Sequence, residues 1–317
     1  MLVKQTDSNT VVRRRGPVVR KIIISTLIFI AIVLILSFGV KHIVSRVNAA
    51  PSLSKVYDAW DKQDYINVYN LSNDVTAIKP YEGTALAYHG YASFYLGVSS
   101  TDTSEAQSYI NEAINSLRLA SYSAPDKLKP QIYYMLGKAY FHKDSSSAYY
   151  YYADLTVYYL NKALEGGFSA ADIPEYLGLS YAQLSMTEQS IASFSEALGH
   201  GESDMLLLAI AEQYIKSNQQ DKALQYLYRL RAFSDDEQYQ IKAGLLLGNI
   251  YTDDGKYEEA MTEFQTILEK NPENADAYYG IGIIYEMMGD MAKARAEWRN
   301  ALKKQVNHPG ALQKLGQ

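Results

Sequence analysis

The sequence lacks cysteine altogether and has only 8 prolines in 317 residues. Without cysteine the protein cannot form disulfides, thiolate nucleophiles, thiolate metal sites or a cysteine-linked lipid anchor. Its 48% apolar and 21% charged residues give it enough apolar surface to bury a core and too little polarity for a disordered chain. We therefore expect a folded protein without thiol chemistry.

Catalytic and metal-binding motifs are also missing. The closest pair of histidines, His42 and His89, is 47 residues apart, so no two histidines share a helix face as metal ligands do. Gly280-Ile281-Gly282 begins like a dinucleotide-binding fingerprint, but Tyr285 replaces the third glycine and no strand precedes the segment. No nucleophile elbow or phosphate-binding loop occurs. We predict that the protein is not an enzyme and has no metal site and no cofactor.

Charge is unevenly distributed along the chain. Residues 1–46 contain eight lysines and arginines and one aspartate, which gives +7, so the rest of the chain carries −5 − 7 = −12. An acidic body repels the phosphate backbone of nucleic acids. We therefore expect proteins or peptides, and not nucleic acid, as partners of the main body.

Residues 22–40 form one long uncharged apolar stretch. As a helix, its 19 residues span roughly 28 Å, close to the hydrocarbon thickness of a bilayer. Six lysines and arginines precede the stretch and only Lys41 and Arg46 follow it closely, which predicts a cytoplasmic N-terminus. The predicted organisation is a basic cytoplasmic tail (1–21), a transmembrane helix (22–40), a linker (41–52) and an extracytoplasmic body (53–317).

Two other interpretations of this stretch remain open. It could be a cleaved signal peptide, because Val47-Asn48-Ala49 before Ala50 is an acceptable cleavage site, although the stretch exceeds the ~7–15 residues of a signal core. It could also be a buried core helix, but no later segment is uncharged over such a length. We expect an uncleaved single-pass anchor. This anchor and the lack of cysteine favour a bacterial inner membrane with a periplasmic body.

The C-terminal part of the chain repeats every 34 residues. In residues 241–274 a small residue is followed by an aromatic residue, a glycine, an alanine and a second aromatic residue at fixed offsets, and the same pattern recurs in the next unit. The two sets are Gly248, Tyr251, Gly255, Ala260, Phe264 with Pro272, and Gly282, Tyr285, Gly289, Ala294 with Trp298. Small residues at these offsets let helix backbones approach, and the glycines after the aromatic residues end helices.

Weaker copies of the pattern precede these two units. They are centred on Ala211, Gly178, Gly137 and Gly90, and a first hairpin lies near Trp60. The unit at Gly137 contains about seven extra residues, which predict a longer loop. We count about seven helical hairpins between Leu53 and Leu302, followed by a terminal helix from Pro309 that covers the last apolar face.

This pattern resembles the tetratricopeptide repeat. The resemblance implies an all-α superhelical solenoid that serves as a protein–protein interaction scaffold, here of a membrane-anchored bacterial envelope type. It also implies that the first helix of each hairpin lines a concave groove. The groove positions that it assigns are Tyr91, Phe94, Gln131, Tyr134, Lys138, Phe141, Asp172, Glu175, Leu179, Leu208, Glu212, Lys242, Asn249, Asp276, Tyr279 and Glu286.

We take nine of these positions as the predicted partner-binding residues: Tyr91, Phe94, Tyr134, Lys138, Phe141, Glu175, Glu212, Asn249 and Tyr279. The N-terminal part of the groove is aromatic and its middle is acidic, which predicts a peptide with apolar anchors at one end and basic residues at the other. Chaperone-binding members of the family hold a terminal carboxylate with lysine and asparagine. Asn249 matches one of those places, but Leu245 occupies the place of the lysine, so we expect no such clamp.

A second surface is indicated by the 29 tyrosines of the chain, which are densest at Tyr149–Tyr152, Tyr158 and Tyr159. Neighbouring residues on a helix point about 100° apart, so some of these rings should be exposed. They either pack sideways within an enlarged hairpin or form a second contact patch. The latter would fit the alternative function, a self-associating structural envelope protein.

Overall fold

The computed structural model of the protein describes residues 22, 24–30, 32–37, 51–145 and 152–316. The described residues between 22 and 37 are helical, and apolar side chains such as Phe29 and Ile35 are exposed. In the described part of the chain no helix combines the length and the apolar character needed to cross a bilayer. The basic tail, most of the linker, the remainder of the predicted membrane segment and Tyr149–Tyr151 lie outside the described residues.

The main body is built from helices alone. Residues 51–145 and 152–316 contain no strand, and they form fifteen α-helices with a 3-10 turn at Asp126–Leu128. The helices are α1 (Leu53–Asp61), α2 (Tyr65–Ile78), α3 (Gly83–Ser99), α4 (Thr103–Ser123), α5 (Lys129–Ser145), α6 (Ala153–Glu165), α7 (Ile173–Gln183), α8 (Thr187–Ala197), α9 (Asp204–Lys216), α10 (Gln220–Phe233), α11 (Glu237–Asp253), α12 (Tyr257–Lys270), α13 (Ala275–Met287), α14 (Met291–Lys304) and α15 (Pro309–Leu315).

The helices pair into seven hairpins, each an odd-numbered helix followed by the next even-numbered one, and α15 covers the last. Each odd-numbered helix from α1 to α11 also contacts the next odd-numbered helix, whereas no comparable contacts join successive even-numbered helices in the described residues. Closer packing on one side bends the stack toward that side, so the first helices line its inner face. The predicted all-α solenoid of about seven hairpins with a terminal helix is confirmed.

Helix boundaries follow from local chemistry. Asp102 and Asn274 precede α4 and α13, and their side-chain oxygens accept hydrogen bonds from the backbone N–H groups of Glu105 (2.7 Å) and Ala277 (2.8 Å). These bonds satisfy donors that have no partner within the helix. Gly255 and Gly289 follow α11 and α13 with φ of +73° and +82°, as the sequence predicts for helix-ending glycines.

The close approach of helices explains the repeated glycines. A Cβ added to Gly248 would lie 2.7 Å from the ring of Phe264 on α12, and one added to Gly282 would lie 2.4 Å from the indole of Trp298 on α14. A Cβ added to Gly280 on α13 would lie 2.4 Å from the tip of the same Phe264 ring, so this glycine allows close packing between successive hairpins. Phe264 and Trp298 are fully buried and fill the space that these glycines leave.

Candidate partner-binding groove

The inner face carries most of the predicted partner-binding residues, but not all of them. Tyr134, Lys138, Phe141, Glu175 and Tyr279 are partly exposed, and Glu212 and Asn249 are exposed. Their role in binding stays a prediction.

Tyr91 and Phe94 are only 2% exposed each, so a direct contact with a partner does not fit their position. Tyr91 packs against Trp60 and Tyr88, and Phe94 packs against Tyr95 and His142. The repeat offset placed these side chains on the correct side of α3. Large apolar rings at that place stabilise the fold by filling the gaps between α1, α3 and α5. They are therefore buried beneath the surface of the groove.

The C-terminal half of the inner face forms an open groove with a volume of about 580 Å³. It brings together three of the predicted residues, one from each of α9, α11 and α13, and it is closed at one end by α15 and the turn before it. The lining residues are Glu212, Lys242, Leu245, Leu246, Asn249, Asp276, Tyr279, Gln305, His308, Pro309 and Gly310. We call this the C-terminal groove.

His308 fixes the end wall of the C-terminal groove. Its Nδ1 accepts a hydrogen bond from the backbone N–H of Ala311 (3.1 Å), so the ring proton is on Nε2, which donates to Asp276 (3.0 Å). The Tyr279 ring lies 5.0 Å from the imidazole, and a Cβ on Gly310 would meet that ring at 2.7 Å. Close packing of α15 on α13 therefore builds the wall. The terminal helix was predicted from the sequence, but the role of His308 was not, because this residue lies outside the complete repeats.

The C-terminal groove offers charges of both signs. Asp276 accepts a hydrogen bond from His308, and neither Glu212 nor Lys242 has an ion-pair partner among the described residues. Lys242 lies with its Nζ 5.4 Å from the ring centre of Tyr239. Leu245 and Leu246 form the apolar floor between these charged groups. Such a surface suits an extended chain that presents both polar groups and apolar side chains.

Further toward the N-terminus, the inner face contains a lysine surrounded by aromatic rings. The Nζ of Lys138 lies 5.7, 5.2 and 5.3 Å from the ring centres of Phe94, Tyr134 and Tyr176. It also donates hydrogen bonds to Asp172 (2.8 Å) and to the Tyr134 hydroxyl (3.2 Å). We call these five residues the aromatic box; they join α3 and α5 to the start of α7.

Hydrogen bonds and ring contacts hold the aromatic box in place. The Tyr134 hydroxyl donates to Asp172 at 2.8–2.9 Å, and burial followed by this bond raises the pKa of Tyr134 above its ordinary value. Burial, with a contribution from Asp172, raises the pKa of Tyr176 to about 12. Phe141 packs edge-on against Tyr176, and Phe168 lies 4.8 Å from the Tyr134 ring. The tyrosines therefore stay protonated at neutral pH.

Two residues of this region, Tyr176 and Phe168, were not among the groove positions predicted from the repeat. Tyr176 lies two positions before Gly178, between the groove positions that the family pattern assigns, and Phe168 lies in the connection between α6 and α7. Tyr176 could have been predicted from the sequence because it is an aromatic residue next to the groove position Glu175. Phe168 follows Gly167, whose φ is +83°, and a glycine of that kind could have indicated a turn that folds back onto α5.

One chain of contacts contains the three residue types of a hydrolase triad. It consists of Ser72, His89 and Glu112. Ser72 Oγ lies 3.1 Å from His89 Nδ1, and His89 Nε2 lies 3.0 Å from Glu112. However, Ser72 is completely buried within α2 and its hydroxyl donates to the Val68 carbonyl at 2.6 Å. A substrate cannot reach it, so the contacts link α2, α3 and α4. In the part of the chain that is described, no group of three His, Cys, Asp or Glu could hold a metal ion.

The tyrosine-rich hairpin places one of its rings outward. Tyr158 is 49% exposed, while Tyr159 is stacked against Tyr140 with ring centres 5.5 Å apart. Tyr122 on α4 is also exposed and lies close enough to raise the pKa of Tyr159, behind the larger effect of burial. Lateral packing therefore accounts for Tyr159. A second contact patch around Tyr158 stays a prediction, and Tyr149–Tyr151 lie outside the described residues.

Two family models match the C-terminal repeats: a TPR repeat model at residues 248–289 and a tetratricopeptide repeat model at residues 276–307. No curated protein is significantly similar to the chain. The C-terminal part of a TPR repeat-containing protein from Cytophaga hutchinsonii has a similar fold, with a TM-score of 0.57 at 13% identity, over 83% of this chain and 99% of that one.

Two further solved structures show a weaker likeness. YrrB, described as a TPR protein with an unusual peptide-binding site, has a TM-score of 0.48 at 23% identity and covers 64% of this chain and 100% of its own. MamA has a TM-score of 0.44 at 18% identity and covers 57% of this chain and 88% of its own. The two models identify tetratricopeptide repeats in residues 248–307, and the Cytophaga structure shows that the described helices share the fold of a repeat-containing protein.

Proposed function

We propose that the protein is a scaffold or adaptor, anchored in a membrane, whose solenoid binds segments of other proteins along its inner face. The C-terminal groove is the observation that carries this proposal. It is open and about 580 Å³ in volume, and it is lined by side chains from successive first helices. Tetratricopeptide repeat proteins are protein-interaction scaffolds, which agrees with an open groove and not an enclosed catalytic pocket.

The peptide-binding part of the proposal can be tested with a displayed library of random twelve-residue peptides and the full-length chain in detergent. We expect the wild type to select peptides, and Asn249→Ala to bind them about tenfold more weakly, because a buried amide hydrogen bond is worth about 1 kcal/mol or more. Asn73→Ala on α2 is the matched control, since Asn73 is exposed on a second helix. Selection of no peptide by the wild type would reject the proposal.

The membrane part of the proposal rests on the uncharged stretch 22–40 and the basic residues before it. We propose a cytoplasmic N-terminus and a periplasmic solenoid in a bacterial inner membrane. The absence of cysteine allows a clean test: single variants Ser8→Cys and Thr101→Cys are exposed to a membrane-impermeant maleimide on spheroplasts. We expect labelling of Thr101→Cys in intact spheroplasts and of Ser8→Cys only after lysis. The reverse pattern contradicts this orientation, and release of the chain by carbonate contradicts the anchor.

Self-association is the second candidate, and the exposed rings of Tyr122 and Tyr158 on neighbouring helices favour it. Exposed aromatic side chains are common in protein interfaces. Light scattering coupled to size-exclusion chromatography, on the full chain in detergent, distinguishes the two functions. A monomer that keeps its mass over a hundredfold range of concentration would exclude self-association as the main role.

A further inference from the structure

The aromatic box shows that this part of the inner face accommodates a positively charged group. Lys138 is a residue of the chain itself, yet its ammonium lies within 6 Å of three ring centres, at the distances at which cations are attracted to aromatic faces. Its side chain is 14% exposed, so the site removes most of the ammonium from water. The rings are fixed by the bond from Tyr134 to Asp172 and by the packing of Phe141 on Tyr176.

The negative charges beside the box exceed the positive ones. The Asp172 carboxylate already has partners within the chain, because it accepts hydrogen bonds from both Lys138 and Tyr134. Glu175 follows on the same helix, one residue before Tyr176, and is partly buried, and it has no ion-pair partner among the described residues. Burial, and then the Asp172 carboxylate, raise the pKa of Glu175 above its ordinary value, which shows that its charge is poorly compensated.

The lysine of the next first helix, Lys216 at the end of α9, forms no ion pair with this carboxylate. On α9 the exposed groove residue is Glu212, which itself has no ion-pair partner in the described part of the chain. The nearest cation of the C-terminal groove, Lys242, is on α11 and lies over the Tyr239 ring. Glu175 is therefore a carboxylate without an ion-pair partner among the described residues, next to the Tyr176 ring of the box, which is complementary to a basic and partly apolar side chain.

We propose that the rim of the aromatic box and Glu175 form a subsite for an arginine side chain of the bound partner segment. Glu175 is its counter-ion, and the tyrosine rings contact its planar guanidinium and its methylenes. Arginine fits better than lysine because a guanidinium is less strongly hydrated and stacks on aromatic faces. This inference rests on the proposed function, since it specifies one side chain of the segment that the solenoid binds.

The test uses two small probes that need no knowledge of the partner. N-acetyl-arginine methylamide and its neutral isostere N-acetyl-citrulline methylamide are titrated into the full-length chain in detergent and followed by saturation-transfer NMR. We expect the arginine probe to bind at least fivefold more tightly than the citrulline probe. Glu175→Gln should abolish that preference, and Glu188→Gln, the same change at an exposed position on α8, should keep it. Circular dichroism confirms that both variants are folded.

The possible outcomes separate this inference from the proposed function. Equal binding of the two probes by the wild type, or an unchanged preference in Glu175→Gln, overturns the arginine subsite. If the library peptides still depend on Asn249 in that case, the peptide-binding function stands without the subsite. If the arginine preference depends on Glu175 but no library peptide is selected, the cation subsite stands and the peptide-binding function falls.

Discussion

Phe264 provides the most stringent test of how the repeats are packed. The tip of its ring lies between two glycines of different hairpins: added Cβ atoms would be 2.7 Å from it at Gly248 on α11 and 2.4 Å from it at Gly280 on α13. The ring is 1% exposed. The rest of the ring is enclosed by the packed core, so a methyl group at Gly248 cannot be accommodated by a small shift of the ring.

We therefore expect Gly248→Ala to lower the free energy of unfolding by up to about 2 kcal/mol. An inserted methyl group in a well-packed core costs about 1–3 kcal/mol, and replacing glycine by alanine inside a helix returns about 1 kcal/mol. Gly244→Ala, one helical turn earlier on α11, is the matched control. There the new Cβ meets the flexible end of Ile267 at 3.2 Å, so the variant should be as stable as wild type or slightly more stable.

Urea unfolding of the full chain, followed by circular dichroism at 222 nm, compares these variants. In the double variant Gly248→Ala with Phe264→Leu, the shorter side chain frees the space for the methyl group. The two changes together should then destabilise less than the sum of their separate effects. Equal stability of Gly248→Ala and Gly244→Ala, or strict additivity in the double variant, would refute the packing argument.

Three further predictions concern the aromatic box and a helix end. Asp172→Asn should lower stability by about 1 kcal/mol, because Lys138 keeps its charge in a mostly buried place, whereas Lys138→Met should be nearly neutral in the same urea assay. Burial and Asp172 raise the pKa of Glu175 in the folded state. Protonation of Glu175 therefore stabilises the fold at a pH below the ordinary glutamate pKa. This stabilisation is lost as the pH rises through the pKa of Glu175 in the folded state. Glu175→Gln should thus have the higher urea midpoint at pH 7 and lose that advantage near pH 4; an advantage independent of pH contradicts this. Ser185 has φ of +58° at the place where Gly255 and Gly289 end helices in later repeats, so Ser185→Gly should raise stability by about 1 kcal/mol, as thermal unfolding would show.

The fold could be predicted from the sequence at positions where only glycine allows the required backbone contact or conformation. Gly248, Gly282 and Gly289 mark close helix contacts and a left-handed turn, and these requirements have few other solutions. The earlier repeats satisfy the same requirements differently. Asn218 and Ser185 adopt positive φ where the later repeats have glycine, and the pattern therefore fades toward the N-terminus although the hairpins continue.

The binding surface was harder to predict because the repeat offset gives only the position of Cα. It places Tyr91 and Glu212 at equivalent positions, yet the tyrosine is buried and the glutamate is exposed. The difference arises from the neighbouring first helices, since an apolar ring fills the gap between them and a carboxylate remains in water. Residues from outside the repeat, such as His308, cannot be found from the offset at all.

Asp172 and Glu175, at the start of α7, contribute differently to stability. Asp172 is bonded to Lys138 and Tyr134, so it contributes to the contact between α5 and α7. Glu175 is close enough to Asp172 to suffer its repulsion, and it gains no cation in return within the described residues. A glutamine at this position would remove the repulsion and keep the side-chain volume. A carboxylate whose pKa is raised by burial and by a neighbouring like charge is typical of functional sites. The free carboxylate on an inner face lined with tyrosines is therefore better explained by what the solenoid binds than by how it folds.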